Sequence, residues 1–137
     1  LLNRQEEAVE IFKQAAEGGC MEASFMLAKC YEDMGKYSDA EMVYQTLLAK
    51  GKESAKVYNQ LAICKMKQGD YDKALTMIDQ GISMEESDAL PDLYWNEAMI
   101  YEAKKDYIQA YEKLKAYGEM FSYEEDTKKE IAFLKTR

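Results

Sequence analysis

The chain has 137 residues, of which 47% are hydrophobic and 32% charged, so it can build the core of one modest domain and is not compositionally disordered. Its formal net charge is −8 without any cluster of lysine and arginine, which argues against a nucleic-acid partner and against attraction to an anionic membrane surface. A single proline and seven glycines suit long helices better than a turn-rich β-fold.

The cysteines give no sign of a metal site or a disulfide framework. Cys20, Cys30 and Cys64 are odd in number, form no CxxC motif and are accompanied by no histidine. We therefore expect no zinc site and no cofactor, and small core roles for Cys30 and Cys64, which occupy equivalent positions in the repeat pattern described below. The lack of disulfides favours a cytoplasmic setting, and no apolar run reaches the ~18–20 residues that span a bilayer. Because the chain starts at Leu1, we expect a fragment, which leaves an exported parent protein open.

The first predicted element is a single helix within residues 1–18, preceded by a hinge at Asn3, a residue that tolerates the left-handed conformation. Gly18 and Gly19 follow as a short turn between helices. A second hinge is predicted at Met34–Ala40, whose sequence is MGKYSDA, with Gly35 ending one helix and the next helix starting at the tyrosine.

The same hinge recurs twice downstream. Its sequence is KQGDYDKA at residues 67–74 and KKDYIQA at residues 104–110, and the three hinge tyrosines are spaced 34 and 36 residues apart. In the middle copy we predict a helix over Ala55–Gln68, a left-handed Gly69, an N-cap at Asp70 and a helix over Tyr71–Met84. Lys105 replaces the glycine in the last copy, which predicts a strained or differently shaped turn.

The chain thus divides into a partial repeat, three helix pairs and a closing helix. The predicted boundaries are 1–18, 21–52, 55–88, 91–122 and 123–137. The loop Ser87–Pro91 should be longer than the loop at Gly51, because the third pair begins two residues late. The closing helix starts with acidic residues and ends with basic ones, as suits its dipole, and it should cover the last apolar face of the stack.

These residues resemble the tetratricopeptide repeat. The positions that carry the resemblance in the first helix of each pair are Leu27, Ala28 and Tyr31, then Tyr58, Leu61 and Ala62, then Tyr94, Ala98 and Tyr101. Glu97 departs from the pattern by standing where a leucine is expected. Residues 15–28 also resemble the junction of the related Sel1-like repeat. The resemblance implies an all-α fold, a right-handed superhelical α-solenoid of antiparallel helix pairs with about eight helices and a concave inner face.

The sequence does not indicate an enzyme. The commonest catalytic base, histidine, is absent, and neither an EF-hand loop nor a phosphate-binding glycine loop occurs. Carboxylates occur together at Glu32–Asp33, Glu85–Glu86 and Glu124–Asp126. We interpret them as solvated residues or residues that complement helix dipoles.

The resemblance implies that particular positions of the first helix in each pair line the concave face. The candidate groove residues are Phe25, Met26, Lys29, Asn59, Gln60, Ile63, Met66, Trp95, Asn96 and Met99. The family's two-carboxylate clamp is not reproduced, since Phe25 and Asp92 stand where lysines are required. The apolar side chains could instead anchor a partner or pack against one another.

Two hypotheses of function follow from this composition of the groove. The first is a protein–protein interaction module that binds a peptide or protein segment with apolar anchors and, because the rim is acidic, basic flanks. Trp95 and Met66 should then be substantially exposed, with Tyr71, Ala62 and Ala74 buried. The second is a structural spacer or oligomerisation segment of a larger protein. Separately, exposed apolar side chains near Ile11 predict weak self-association through the N-terminal helix.

Overall fold

The structure is a computed structural model that describes residues 2–122 and 124–137, with side chains from residue 4 onward. Within these ranges the chain forms eight α-helices and no strand, which confirms the all-α prediction. The helices are α1 (Leu2–Glu17), α2 (Met21–Asp33), α3 (Tyr37–Ala49), α4 (Ala55–Lys67), α5 (Tyr71–Ser83), α6 (Leu90–Ala103), α7 (Tyr107–Met120) and α8 (Glu125–Lys135).

The helices group into two compact units, an N-terminal unit of Leu1–Glu53 and a C-terminal unit of Ser54–Arg137. In the N-terminal unit α2 packs against both α1 and α3. In the C-terminal unit α4 pairs with α5 and α6 pairs with α7, while α5 packs on α6 and α7 packs on α8. Helix α4 also contacts α6, so the first helices of two successive pairs lie side by side.

The three predicted hinges that precede a tyrosine share one backbone geometry. Gly35, Gly69 and Lys105 have φ angles of 74°, 82° and 69°, all in the left-handed region. At each hinge the next residue donates its N–H to a carbonyl five residues back, as in Asp70 to Lys65 at 2.9 Å and Asp106 to Tyr101 at 2.9 Å. This is the Schellman arrangement that ends helices on a left-handed residue. The prediction is therefore confirmed at these three hinges, and Lys105 adopts a left-handed conformation that is strained for a residue with a Cβ.

Two local predictions are wrong. Asp70 does not cap α5 with its side chain; its carboxylate lies 3.7 Å from the ammonium group of Lys73 instead. The equivalent Asp106 does cap α7, accepting a hydrogen bond from the Gln109 N–H at 3.2 Å. The predicted break at Asn3 is absent, because α1 begins at Leu2 and runs through it. Asparagine tolerates the left-handed conformation without requiring it, whereas the residues that follow favour a helix.

The loops follow the predicted order of length. Six residues separate α5 from α6, against five between α3 and α4. The longer loop ends earlier than predicted, because Pro91 lies in the first turn of α6, a position that suits proline. Glu86 ties this loop to α4 by accepting a hydrogen bond from the Ala55 N–H at 3.0 Å. Of the predicted closing helix, Tyr123 lies outside the described residues.

Small and aliphatic side chains fill the interior of each unit. Ala62 and Ala74 are fully buried, as predicted, whereas Tyr71 is only half-buried at the edge of its cluster. The cysteines differ: Cys64 is buried, Cys30 is half-buried and Cys20 is exposed. Of the two cysteines predicted to lie in the core, Cys64 is therefore fully buried and Cys30 only partly.

Candidate peptide-binding site

The candidate site in the C-terminal unit lies on the adjacent helices α4 and α6. Asn96 donates a hydrogen bond from its Nδ2 to the Oδ1 of Asn59 at 2.9 Å, so the structure brings these two predicted site residues into contact. Asn59 is only 6% exposed, although it is polar. A buried carboxamide requires hydrogen bonds, and this one fixes the register of the two helices at the site.

The apolar members of this site are less exposed than the sequence predicts. Met66 packs against the core between α4, α5 and α6, and Trp95 and Met99 pack against the core that includes α7 and α8. The Trp95 ring stands edge-on to Tyr117 with the centroids 5.4 Å apart. Because each of these side chains, like Ile63, is half-buried, the prediction of substantial exposure is wrong for Trp95 and Met66.

The N-terminal unit holds the remaining predicted site residues on α2. Phe25 is half-buried with its ring centroid 5.8 Å from that of Tyr44, whereas Lys29 is exposed. Met26 is 44% exposed, which makes it the most accessible apolar residue of the predicted set.

An acidic cavity of about 640 Å³ adjoins the α4–α6 face within the C-terminal unit. Asn59 and Gln60 belong both to the predicted site and to this cavity. The carboxylate-bearing residues that line it are Glu85, Glu86, Asp88 and Asp92, with Lys56 as the one basic residue. From the sequence we identified Asp92 as a residue of the concave face but did not assign the loop residues to the site. The positions that the repeat pattern assigns to this face lie on the first helix of each pair, and the loop has none of them. The acidic run that starts at Glu85 was a usable signal.

The backbone of this loop carries strain beside the cavity. Glu85 has a φ of 57°, in the left-handed region that disfavours side chains with a Cβ. The hydrogen bond from Ala55 to Glu86 helps to hold the loop against α4. The remaining acidic side chains of the cavity, at Glu85, Asp88 and Asp92, form no ion pair within the described residues.

Glu97 supports α6 from behind the site. It is 8% exposed, and its carboxylate lies 3.6 Å from the ammonium group of Lys113 on α7. Burial raises the pKa of Glu97, and the nearby Lys113 charge partly opposes that rise. The position that departs from the repeat pattern is therefore a buried carboxylate with a cationic partner.

The fold and the site define an all-helical scaffold of repeated helix pairs. The sequence profile of the tetratricopeptide repeat matches residues 3–59 and 33–93, so the chain belongs to the tetratricopeptide repeat family. That family comprises non-enzymatic scaffolds whose repeats mediate protein–protein interactions. No curated protein matches the chain.

The described residues hold no group of three or more acidic or cysteine side chains placed to bind a metal ion. Within the same part of the chain, no helix is both long and apolar enough to cross a membrane.

Proposed function

We propose that the chain binds a peptide or protein segment that combines apolar anchors with basic residues. The observation that carries this proposal is the acidic cavity beside the α4–α6 face, because Asn59 and Gln60 belong to both. A segment lying on this face would reach the cavity without leaving the predicted site.

The apolar side chains support the proposal because part of each side chain remains exposed to solvent. Trp95, Met66 and Met99 are half-buried, so each is held in place by the core while part of it remains accessible. Side chains ordered before binding lose less conformational entropy when a partner arrives. Tryptophan and methionine are also common at binding surfaces, the first as an anchor and the second as an adaptable contact.

The acidic cavity is the evidence that the partner contains basic residues. Glu85, Asp88 and Asp92 have no cationic partner in the described part of the chain, and the net charge of −8 adds a long-range attraction for cations. A lysine or arginine side chain of the segment would neutralise these carboxylates. The affinity should therefore fall as salt is added.

Selection from a phage-displayed random peptide library on the immobilised chain tests this proposal. We expect selected peptides to be enriched in lysine or arginine together with large apolar residues. The double variant Asp88→Asn/Asp92→Asn should weaken their binding about tenfold at low salt, whereas Glu119→Gln, an exposed change on α7, should have no effect.

A matched pair of methionines tests the N-terminal unit. Peptides whose binding weakens several-fold in Met26→Ala but not in Met42→Ala, at a residue that is 67% exposed on α3, bind to the N-terminal unit. A library that yields no specific peptide would contradict the proposal and favour the second candidate, a structural spacer. The packing of Trp95, Met99 and Met66 against the cores is the observation that supports that alternative.

A further inference from the structure

A second, smaller cavity lies in the N-terminal unit between α1, α2 and α3. Its volume is about 150 Å³, and its apolar wall includes Leu27, Val43 and Leu47. None of the predicted groove residues lines it. An apolar cavity of this volume holds a molecule about the size of benzene. The cavity can therefore accept a short branched or aromatic group.

The cavity has an origin in the repeat pattern. Ser24 is the fourth residue of α2, and Tyr58 is the fourth residue of α4. In the C-terminal unit Tyr58 packs over Gly81, where an added Cβ would lie 3.3 Å from the tyrosine Cβ. The residue equivalent to Gly81 in the N-terminal unit is Leu47. A tyrosine over a glycine is thus replaced by a serine beside a leucine, so the bulky side chain on the first helix is missing and the cavity opens beside Ser24.

A polar group that lacks a partner opens onto this space. Ser24 is only 7% exposed, yet its hydroxyl forms no hydrogen bond within the described residues and lines the cavity. The other hydroxyl of the lining, at Thr46, already donates to the Met42 carbonyl at 2.8 Å. Because this hydroxyl faces the cavity and has no partner in the described part of the chain, it can donate a hydrogen bond to an acceptor bound there.

The charges around the cavity favour an anion. Lys13 on α1 and Lys50 at the end of α3 line it with exposed side chains, and neither forms an ion pair within the described residues. Glu17 is the one carboxylate of the lining, which leaves a net positive charge on a chain that is otherwise strongly acidic.

We propose that this cavity binds a carboxylate that carries a short apolar group. The apolar group lies against Leu27, Val43 and Leu47, and the carboxylate accepts a hydrogen bond from Ser24 and faces the ammonium groups of Lys13 and Lys50. A free branched or aromatic acid and the C-terminus of a peptide that ends in leucine or valine share this chemistry.

Titration of the ¹⁵N-labelled chain by NMR tests the proposal, with 4-methylpentanoate and N-acetyl-leucine as probes. We expect saturable amide shifts centred on Ser24 and Leu47, with a Kd of about 1 mM. The uncharged 4-methylpentanamide should bind about tenfold more weakly. Tighter binding of 4-methylpentanoate points to a free acid, and tighter binding of N-acetyl-leucine points to a peptide C-terminus.

Variants test separately the contribution of the two lysine charges and that of the cavity volume. Lys13→Gln/Lys50→Gln should weaken binding of the acid about tenfold, whereas Lys36→Gln, an exposed lysine outside the cavity, should leave it unchanged. Ser24→Leu should fill the space and abolish binding, while Ser24→Ala should weaken it. The lysine changes lie at the surface, so they test the proposal even if Ser24→Leu disturbs the core.

Two results would overturn the inference: no localised shifts at about 10 mM probe, a concentration well above the expected Kd, or equal binding of the acid and the amide.

Discussion

Lys105 closes a turn that glycine closes in the two preceding hinges. Its φ of 69° costs a residue with a Cβ roughly 1 kcal/mol or more, while glycine adopts it freely. We expect Lys105→Gly to raise the free energy of unfolding by about 1 kcal/mol in urea denaturation. The reverse change, Gly69→Val, should lower it by at least about 1 kcal/mol. An added Cβ at Gly69 meets nothing within 4 Å, so the loss would report backbone strain alone. Equal stability of all three chains would contradict this account.

Glu97 is a second residue that does not suit its environment, because it is an acidic side chain at a buried position. Burial raises the pKa of Glu97, so the folded chain favours the neutral acid and this residue contributes less stability as the pH rises through its folded pKa. We expect Glu97→Leu to raise the free energy of unfolding by about 1 kcal/mol at pH 7, measured by urea denaturation.

Glu97→Gln is the matched control, because it removes the charge and keeps the shape. A gain shared by both variants would identify the charge as the cause, whereas a gain with leucine alone would identify packing. A loss of stability with both variants would show that the contact with Lys113 outweighs the burial of the carboxylate.

The contact between α6 and α8 includes two carboxyl groups. The Oε2 atoms of Glu102 and Glu130 are buried without hydrogen-bond partners. Burial is the main cause that raises the pKa of Glu102, the charge of Glu130 raises it further, and the Arg137 charge lowers it. A protonated Glu102 can donate a hydrogen bond to Glu130, so this contact is stabilising at acid pH and loses that contribution as the pH rises through the folded pKa of Glu102.

We therefore expect Glu102→Gln to stabilise the chain by about 0.5 kcal/mol at pH 7, with no gain near pH 4. Thermal unfolding of both chains followed by circular dichroism across this range measures the difference. Glu112→Gln, an exposed change on α7, controls for the general loss of one carboxylate. A stability difference that does not depend on pH would contradict the raised pKa of Glu102.

Trp95 connects α6 to α7 through its edge-on contact with Tyr117. From the sequence alone we expect Trp95→Ala to cost within about 1 kcal/mol of folding stability. The packing of the ring against the core raises this expectation to about 2 kcal/mol, because truncation leaves a cavity and removes an aromatic pair. The midpoint of urea unfolding measures it, with Trp95→Phe expected to retain most of the stability. A negligible loss of folding stability in Trp95→Ala would instead support the expectation from the sequence alone.

At the scale of the molecule, the exposed apolar residues predict weak self-association through α1. Ile11 is 65% exposed there, and burying such side chains between two copies is favourable. We expect sedimentation velocity to show a dimer that grows with concentration and is lost in Ile11→Lys. Ile108→Lys is the matched control, since Ile108 is 78% exposed on α7. A strict monomer, or loss of the dimer in the control alone, would contradict this prediction.

The sequence by itself determined the helices and their hinges. Hydrophobic period, helix-forming residues and a glycine two residues before the tyrosine in two of the three hinges are properties of a few neighbouring residues. The same hydrogen bonds close all three turns. Repetition strengthened the inference, because three copies in one register constrain one another. It was weakest for single side chains, as at Asp70, where a local ion pair displaced the predicted cap.

Only the tertiary structure decided which side chains are open, which are held by the core and which meet across the fold. Trp95 and Met66 lie half-buried because of neighbours on other helices. The acidic cavity is lined by residues of both a loop and α4. The cavity at Ser24 is bounded by Leu47, a residue on the next helix. Such features arise from packing between residues that are distant in sequence. The volume and charge of each neighbour determine how buried a side chain is and where a cavity forms, so local sequence patterns do not predict them.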